Sequence, residues 1–195
     1  MKKISASLAL GVSAMLLAAC AGATSVPAGP LKVGGAQVTL GRQWSDISTI
    51  MTGRPKKIRL LSIDGPMLNR LYISDGLSPG DFLVKPLAKE RPTPLVRANM
   101  SVTERMEFVA DSVTAMDFQR VEVSKPRPAT YGGYPAVRFD LSAKTTEGLD
   151  VLGVAEAAEV GGKTYVLLYL APAEHYYAAT LSEVEAIMAS AQPQG

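Results

Sequence analysis

Residues 133–141 read GYPAVRFDL and residues 161–172 read GGKTYVLLYLAP. In the first stretch Val137, Phe139 and Leu141 alternate with Arg138 and Asp140. That period marks a strand with one buried and one wet face. In the second, Gly161-Gly162 is a two-residue hairpin turn of the favoured kind. Tyr165 to Leu170 is apolar throughout, so this strand is expected at the centre of a sheet and covered on both faces. Leu149 to Val160 supplies the strand between the two, and the three make an antiparallel meander.

Helices are the natural cover for such a sheet. The sequence predicts one over 101–118. Ser101 and Glu104 have the spacing of a capping box, and Val102, Met106, Val109, Val113 and Met116 recur on one helical face. A second helix is expected to close the chain, with Pro172 in its first turn and Tyr177, Leu181, Val184, Ile187 and Met188 on its buried face. Upstream, Val33 to Leu40 reads as one strand closed by Gly41, followed by Trp44 as a core plug. Ile58–Ile63, a turn at Asp64-Gly65-Pro66 and Leu71–Ile73 read as a hairpin. Val121 and Val123 mark a further strand. Residues 74–98 hold Pro79, Pro86, Pro92 and Pro94, and read as a long irregular loop. The class is α+β, a mainly antiparallel sheet flanked by helices.

This layout, with the GYPAVRFD strand, the GGKTYVLLYLAP arm and a final helix, resembles the PsbP-like α/β/α sandwich. That group contains photosystem extrinsic subunits, a Ran-binding factor and bacterial envelope lipoproteins. The resemblance implies a non-enzymatic role in binding or stabilising a partner, and it brings no catalytic residues with it.

The chain has 195 residues, 20 Lys+Arg and 18 Asp+Glu, with a single Cys. Lys2 and Lys3 precede an uncharged apolar run from Ile4 to Ala19. That run is about 16 residues, shorter than a transmembrane helix and suited to a signal peptide. It ends Leu17-Ala18-Ala19-Cys20, which resembles the bacterial lipobox and implies a lipid on Cys20. Ala21 stands where Asp would mark retention at the inner membrane, so the expected location is exported, lipid-anchored at the outer membrane and facing the periplasm. The expected organisation is a signal peptide over 1–19, a lipidated tether over 20–32, one globular domain over 33–191 and a tail over 192–195. A flexible tether of about ten residues would lift the domain roughly 17 Å from the lipid. Loss of Lys2 and Lys3 with the leader leaves 18 basic against 18 acidic residues. A neutral exported domain is no nucleic-acid binder, because such binding rests on phosphate neutralisation. The expected partners are the membrane, through the lipid, and an envelope protein.

No catalytic set emerges. Gly76-Leu77-Ser78-Pro79-Gly80 matches G-x-S-x-G, and His175 lies downstream, so an envelope hydrolase using Ser78 and His175 is the alternative reading. Pro79 counts against it, since it has no N–H to give an oxyanion hole. One His and one Cys leave few soft ligands, so no metal site and no cofactor are expected. Arg54, Lys56, Lys57 and Arg59 form a basic run suited to anionic headgroups or an acidic partner. Tyr131-Gly132-Gly133-Tyr134 reads equally as a binding loop or a turn. The loop cations Lys85, Lys89, Arg91 and Arg97 are the candidate partner-contact residues, because loops on a rigid scaffold commonly carry binding.

Overall fold

The computed structural model describes residues 23–51, 54–86 and 92–194. Eight strands form one antiparallel sheet in the spatial order β1 (Thr24–Val26), β4 (Trp44–Asp46), β5 (Ile58–Ser62), β6 (Arg70–Ser74), β10 (Lys163–Pro172), β9 (Asp150–Val160), β8 (Tyr134–Lys144) and β7 (Gln119–Tyr131). A second, three-stranded sheet holds β2 (Gly29–Val33), β3 (Ala36–Leu40) and β11 (Gln192–Pro193). The helices are α1 (Val102–Thr114) and α2 (Tyr176–Ala189). The fold is α+β, as the sequence leads one to expect.

Side-chain alternation on β10 sets the layers. Val166, Leu168 and Leu170 pack in one apolar cluster with Phe108, Val109 and Val113 of α1. Tyr165, Leu167, Tyr169 and Ala171 pack in another with Val184, Ile187 and Met188 of α2 and with Val38 and Leu40 of β3. The strand is thus central and covered on both faces. Trp44, 1% exposed, is the expected plug. Ser101 caps α1 in a complete capping box with Glu104.

The structure corrects the sequence reading at several points. Val33 to Leu40 is two strands, because Gly34-Gly35 turns the chain between β2 and β3. Gly34 has φ +54°, and a Cβ on Gly35 would lie 2.7 Å from the Asp75 carbonyl oxygen, so this turn can seat there only as glycine. Pro172 ends β10 opposite Val151 and does not open α2, which starts at Tyr176 after His175 at φ 66°. Helix α1 stops at Thr114, short of 118. The segment assigned to a tether is built into the fold where it is described: Val26 and Leu31 are buried in β1 and β2. The assigned tail forms β11, and the Gln194 N–H donates to the Gly35 carbonyl at 2.7 Å. Strand β7 is far longer than Val121 and Val123 indicate. It is an exposed edge, broken by two register shifts and by Pro126 and Pro128, features that blunt edge-to-edge aggregation.

Candidate functional site

β6 and β10 run antiparallel, so each end of the pair gathers different connections. At one end stand Arg70 and Pro172. At the other stand Asp75 and Thr164, with Leu77 bridged to Thr164. The five residue steps from Arg70 to Asp75 separate the two ends by about 17 Å.

The Arg70 end carries an apolar cleft of about 480 Å³. Its walls come from four segments: the β5–β6 connection, the residues after α1, the β8–β9 turn and the last residues of β10. Buried Asn69 pins the first of these. Its Oδ1 accepts from Ser62 Oγ at 2.9 Å and from the Ile63 N–H at 2.8 Å, while its Nδ2 donates to Asp64 Oδ2 at 2.6 Å. Met67, 79% exposed, and Leu149 of the β8–β9 turn, 47% exposed, both line this cleft. Inside, the Arg70 guanidinium sits 5.4 Å from the centre of the Phe118 ring, a cation–π contact. A smaller pocket of about 130 Å³ shares Arg70 and Met116 and is lined by Lys85.

The Asp75 end carries an open cleft of about 430 Å³ and opposite character. The basic run Arg54, Lys56, Lys57 and Arg59 lines it together with Lys32 from β2. Asp46 and Asp75 are its carboxylates. Arg59 Nε donates to Asp46 Oδ2 at 2.9 Å, and Lys57 Nζ to Asp81 Oδ2 at 2.6 Å. Burial raises the Asp75 carboxyl above its ordinary range, and nearby Lys57 opposes the shift. Burial also acts upward on Asp81, but the hydrogen bonds from Lys57 and the Ser78 N–H outweigh it and hold that carboxyl low.

Midway across the sheet lies a buried ion pair. Glu156 on β9 is fully buried and accepts from Arg138 Nε at 2.9 Å and Nη2 at 2.7 Å, both on Oε2. Its Oε1 is buried without a partner. Burial raises the Glu156 carboxyl, against the pull of Arg138. Arg138 and Glu156 are register partners, so the pair ties β8 to β9.

The Ser78–His175 alternative fails on geometry. Ser78 follows Leu77, at the Thr164 end of β10, and its N–H donates to Asp81 Oδ2 at 2.7 Å. His175 lies beyond Pro172, at the opposite end of that strand. Eight residues at about 3.3 Å each set the two ends roughly 26 Å apart, far beyond hydrogen-bond reach.

Of the loop cations, Lys85 lies in the small pocket beside Arg70. Arg97 is 65% exposed and donates to Glu104 at 3.0 Å, beside the cap of α1. The structure therefore does not bring Arg97 and Lys85 into one pocket, and Lys89 and Arg91 lie outside the described residues. Cys20 lies outside them as well. Gly132-Gly133 forms a hairpin turn, with Tyr131 buried at 5.0 Å from Tyr165 and the Gly132 N–H donating to the Ala191 carbonyl. Among the described residues no three His, Cys, Asp or Glu side chains gather as a metal site, and no helix is long and apolar enough to cross a membrane.

The apolar cleft has no signal in the sequence beyond Met67 standing next to a turn. Lys32 joins the basic run through tertiary contacts: the Gly35 N–H donates to the Asp75 carbonyl, and Arg59 Nη1 donates to the Lys32 carbonyl at 3.4 Å.

No protein-family model matches the chain, and no curated protein does. Solved structures do match it. The Saccharomyces cerevisiae Ran-binding protein Mog1p superposes with a TM-score of 0.53 at 9% identity, over 87% of this chain and 94% of that one. Cyanobacterial PsbP (CyanoP) from Synechocystis superposes with a TM-score of 0.55 at 10% identity, over 92% of this chain and 97% of that one. At such identities the likeness is one of fold: the chain has the α+β architecture shared by Mog1p and PsbP-like proteins.

Proposed function

We propose that the protein is a non-enzymatic envelope lipoprotein, exported and anchored through Cys20 at the outer membrane, facing the periplasm. In this reading it holds an apolar segment of a partner protein in the cleft at the Arg70 end. One observation carries the binding assignment: the exposed side chains Met67 and Leu149 rim a single half-open apolar cleft, a clustering that marks contact surfaces. Its volume lies within the usual range for binding sites, and Arg70 at its floor supplies an orienting cation. Lys85 in the adjoining pocket extends the contact into the 74–98 loop.

A photo-crosslinking residue at Met67 in intact cells tests the site. A defined protein adduct at Met67, lost with Leu149→Asp, supports the reading. No adduct above that at exposed Thr39, on the small sheet, refutes it. Labelled palmitate tests the anchor: incorporation should vanish in Cys20→Ala, and unchanged labelling overturns the lipoprotein assignment.

A further inference from the structure

The fold sets which way β1 points its N-terminal end. Thr24 pairs with Asp46, and β1 runs antiparallel to β4. The N-terminal end of β1 therefore points toward the Asp75 end, and Asp46, opposite Thr24, lines the basic cleft. Cys20 stands four residues upstream. At 3.3–3.6 Å per residue those four span at most about 14 Å. Strands β1 and β2 take up the chain that the sequence assigns to a tether, so little slack is left to lift the domain away from an anchored lipid.

The surface held at this distance is cationic. Five basic side chains line the cleft against the carboxylates of Asp46 and Asp75. The mature chain is otherwise balanced between basic and acidic residues, so this excess is segregated at one end. Arg54 is fixed without being neutralised: Nε donates to the Ser48 carbonyl at 2.9 Å and Nη1 to the Pro55 carbonyl at 3.0 Å. Lys32 and Lys56 are exposed and carry no ion pair among the described residues. An open, rigid-backed cleft with free ammonium groups suits phosphate oxygens at an anionic surface.

We propose that this basic cleft is a second, electrostatic membrane contact that binds the phosphate headgroups of anionic phospholipids and so holds the domain upright, with the Arg70-end cleft facing away from the bilayer. The proposal rests on the lipid anchor at Cys20. It adds what the anchor alone cannot give, a fixed orientation.

Amine labelling read by mass spectrometry tests it on the mature lipoprotein reconstituted in vesicles. In vesicles containing phosphatidylglycerol, Lys32 and Lys56 should label about threefold or more slowly than in pure phosphatidylcholine. High salt should restore their labelling, as surface charge is screened. Lys144, which pairs with Asp150 at the other end of the sheet, should be indifferent to lipid composition. Equal labelling of Lys32 and Lys56 in the two lipids overturns the proposal. So does equal protection by soluble glycerophosphate in phosphatidylcholine vesicles, which would make the cleft a free-phosphate site. The mass of the N-terminal peptide separates the two failures. An acylated peptide without lysine protection removes this inference alone, and an unacylated one removes the anchor with it.

Discussion

The two ends of β6 and β10 share one rigid sheet and differ in nearly everything else. The Arg70 end is walled mainly by apolar side chains, Met67, Met116, Phe118 and Leu149 among them, with Arg70, Asp117 and Glu147 as its charged groups. The Asp75 end is walled by five cations and two carboxylates. Apolar surface is recognised by removing water from it, so it suits a partner that can be desolvated. Fixed charge in an open cleft acts without desolvation and suits a hydrated anionic surface. The two ends of one strand pair thus differ in kind, and β1 points its first residue toward the cationic one.

The largest perturbation should come from the core that joins the N-terminus to the sheet. Trp44 is 1% exposed, and its Nε1 has no hydrogen-bond partner, so its contribution is apolar packing. Trp44→Ala should lower stability by about 3–5 kcal/mol, roughly 10 °C in melting temperature. Trp44 pairs with Val26, so β1 should lose protection first in hydrogen exchange. Equal loss at both ends would break the picture of an N-terminal strand docked through this one side chain.

A smaller change addresses the Asp75 end alone. Gly35→Ala places a Cβ 2.7 Å from the Asp75 carbonyl oxygen, which is backbone and cannot swing aside. The expected loss is about 1–3 kcal/mol. Amides of Gly35 and Ala36 should exchange faster, while Asn69 and Arg70 keep their protection. If both ends loosen together, the two clefts are one cooperative unit and the comparison fails.

The two ends also differ in how legible they are. The basic run stands within six consecutive positions, so Arg54, Lys56, Lys57 and Arg59 can be seen in the sequence. Strand periodicity reveals β8, an unbroken apolar run reveals β10, and the capping box reveals α1, because these signals are local. The apolar cleft draws on segments from Met67 to Pro172, and only tertiary assembly brings them together. The Gly34-Gly35 turn is missed when Val33 to Leu40 is read as one strand, and its seat on Asp75 is a long-range contact. Val26 and Leu31 look too sparse to pack; they do pack because β1 and β2 each need only one or two buried residues to complete an existing core. The Ser78 motif misleads for the same reason, as a local pattern says nothing about which end of β10 His175 occupies.

The helix cap sharpens the comparison from the other side. Ser101 Oγ accepts from the Glu104 N–H at 3.2 Å, and Glu104 Oε2 accepts from the Ser101 N–H at 2.8 Å. Ser101→Ala should destabilise by about 1 kcal/mol, measured in urea. The residues just past the far end of α1 line the Arg70-end cleft, so crosslinking from Met67 should weaken with the cap. Lysine labelling at Lys32 and Lys56 should not change.

The smallest effect expected is acid loosening, and at the Asp75 end it should centre on Asp81. The folded Asp81 carboxyl is held below its ordinary value of 3.8. A depressed carboxylate contributes stability that is fully present above the unfolded value and is lost as pH falls through the folded one. The loss should therefore begin only below about pH 4. Protonation removes the acceptor for both Lys57 Nζ and the Ser78 N–H, so the stretch from Ser78 to Asp81 is freed first. Exchange protection at Ser78 and Gly80 should fall in that range, and Asp81→Asn should abolish the pH dependence. Lys57 is 40% exposed, so solvent screens the pair and global melting should hardly move. Acid loosening of equal size at Asn69, which is held by neutral and backbone partners as well as Asp64, would show that the two ends do not titrate separately.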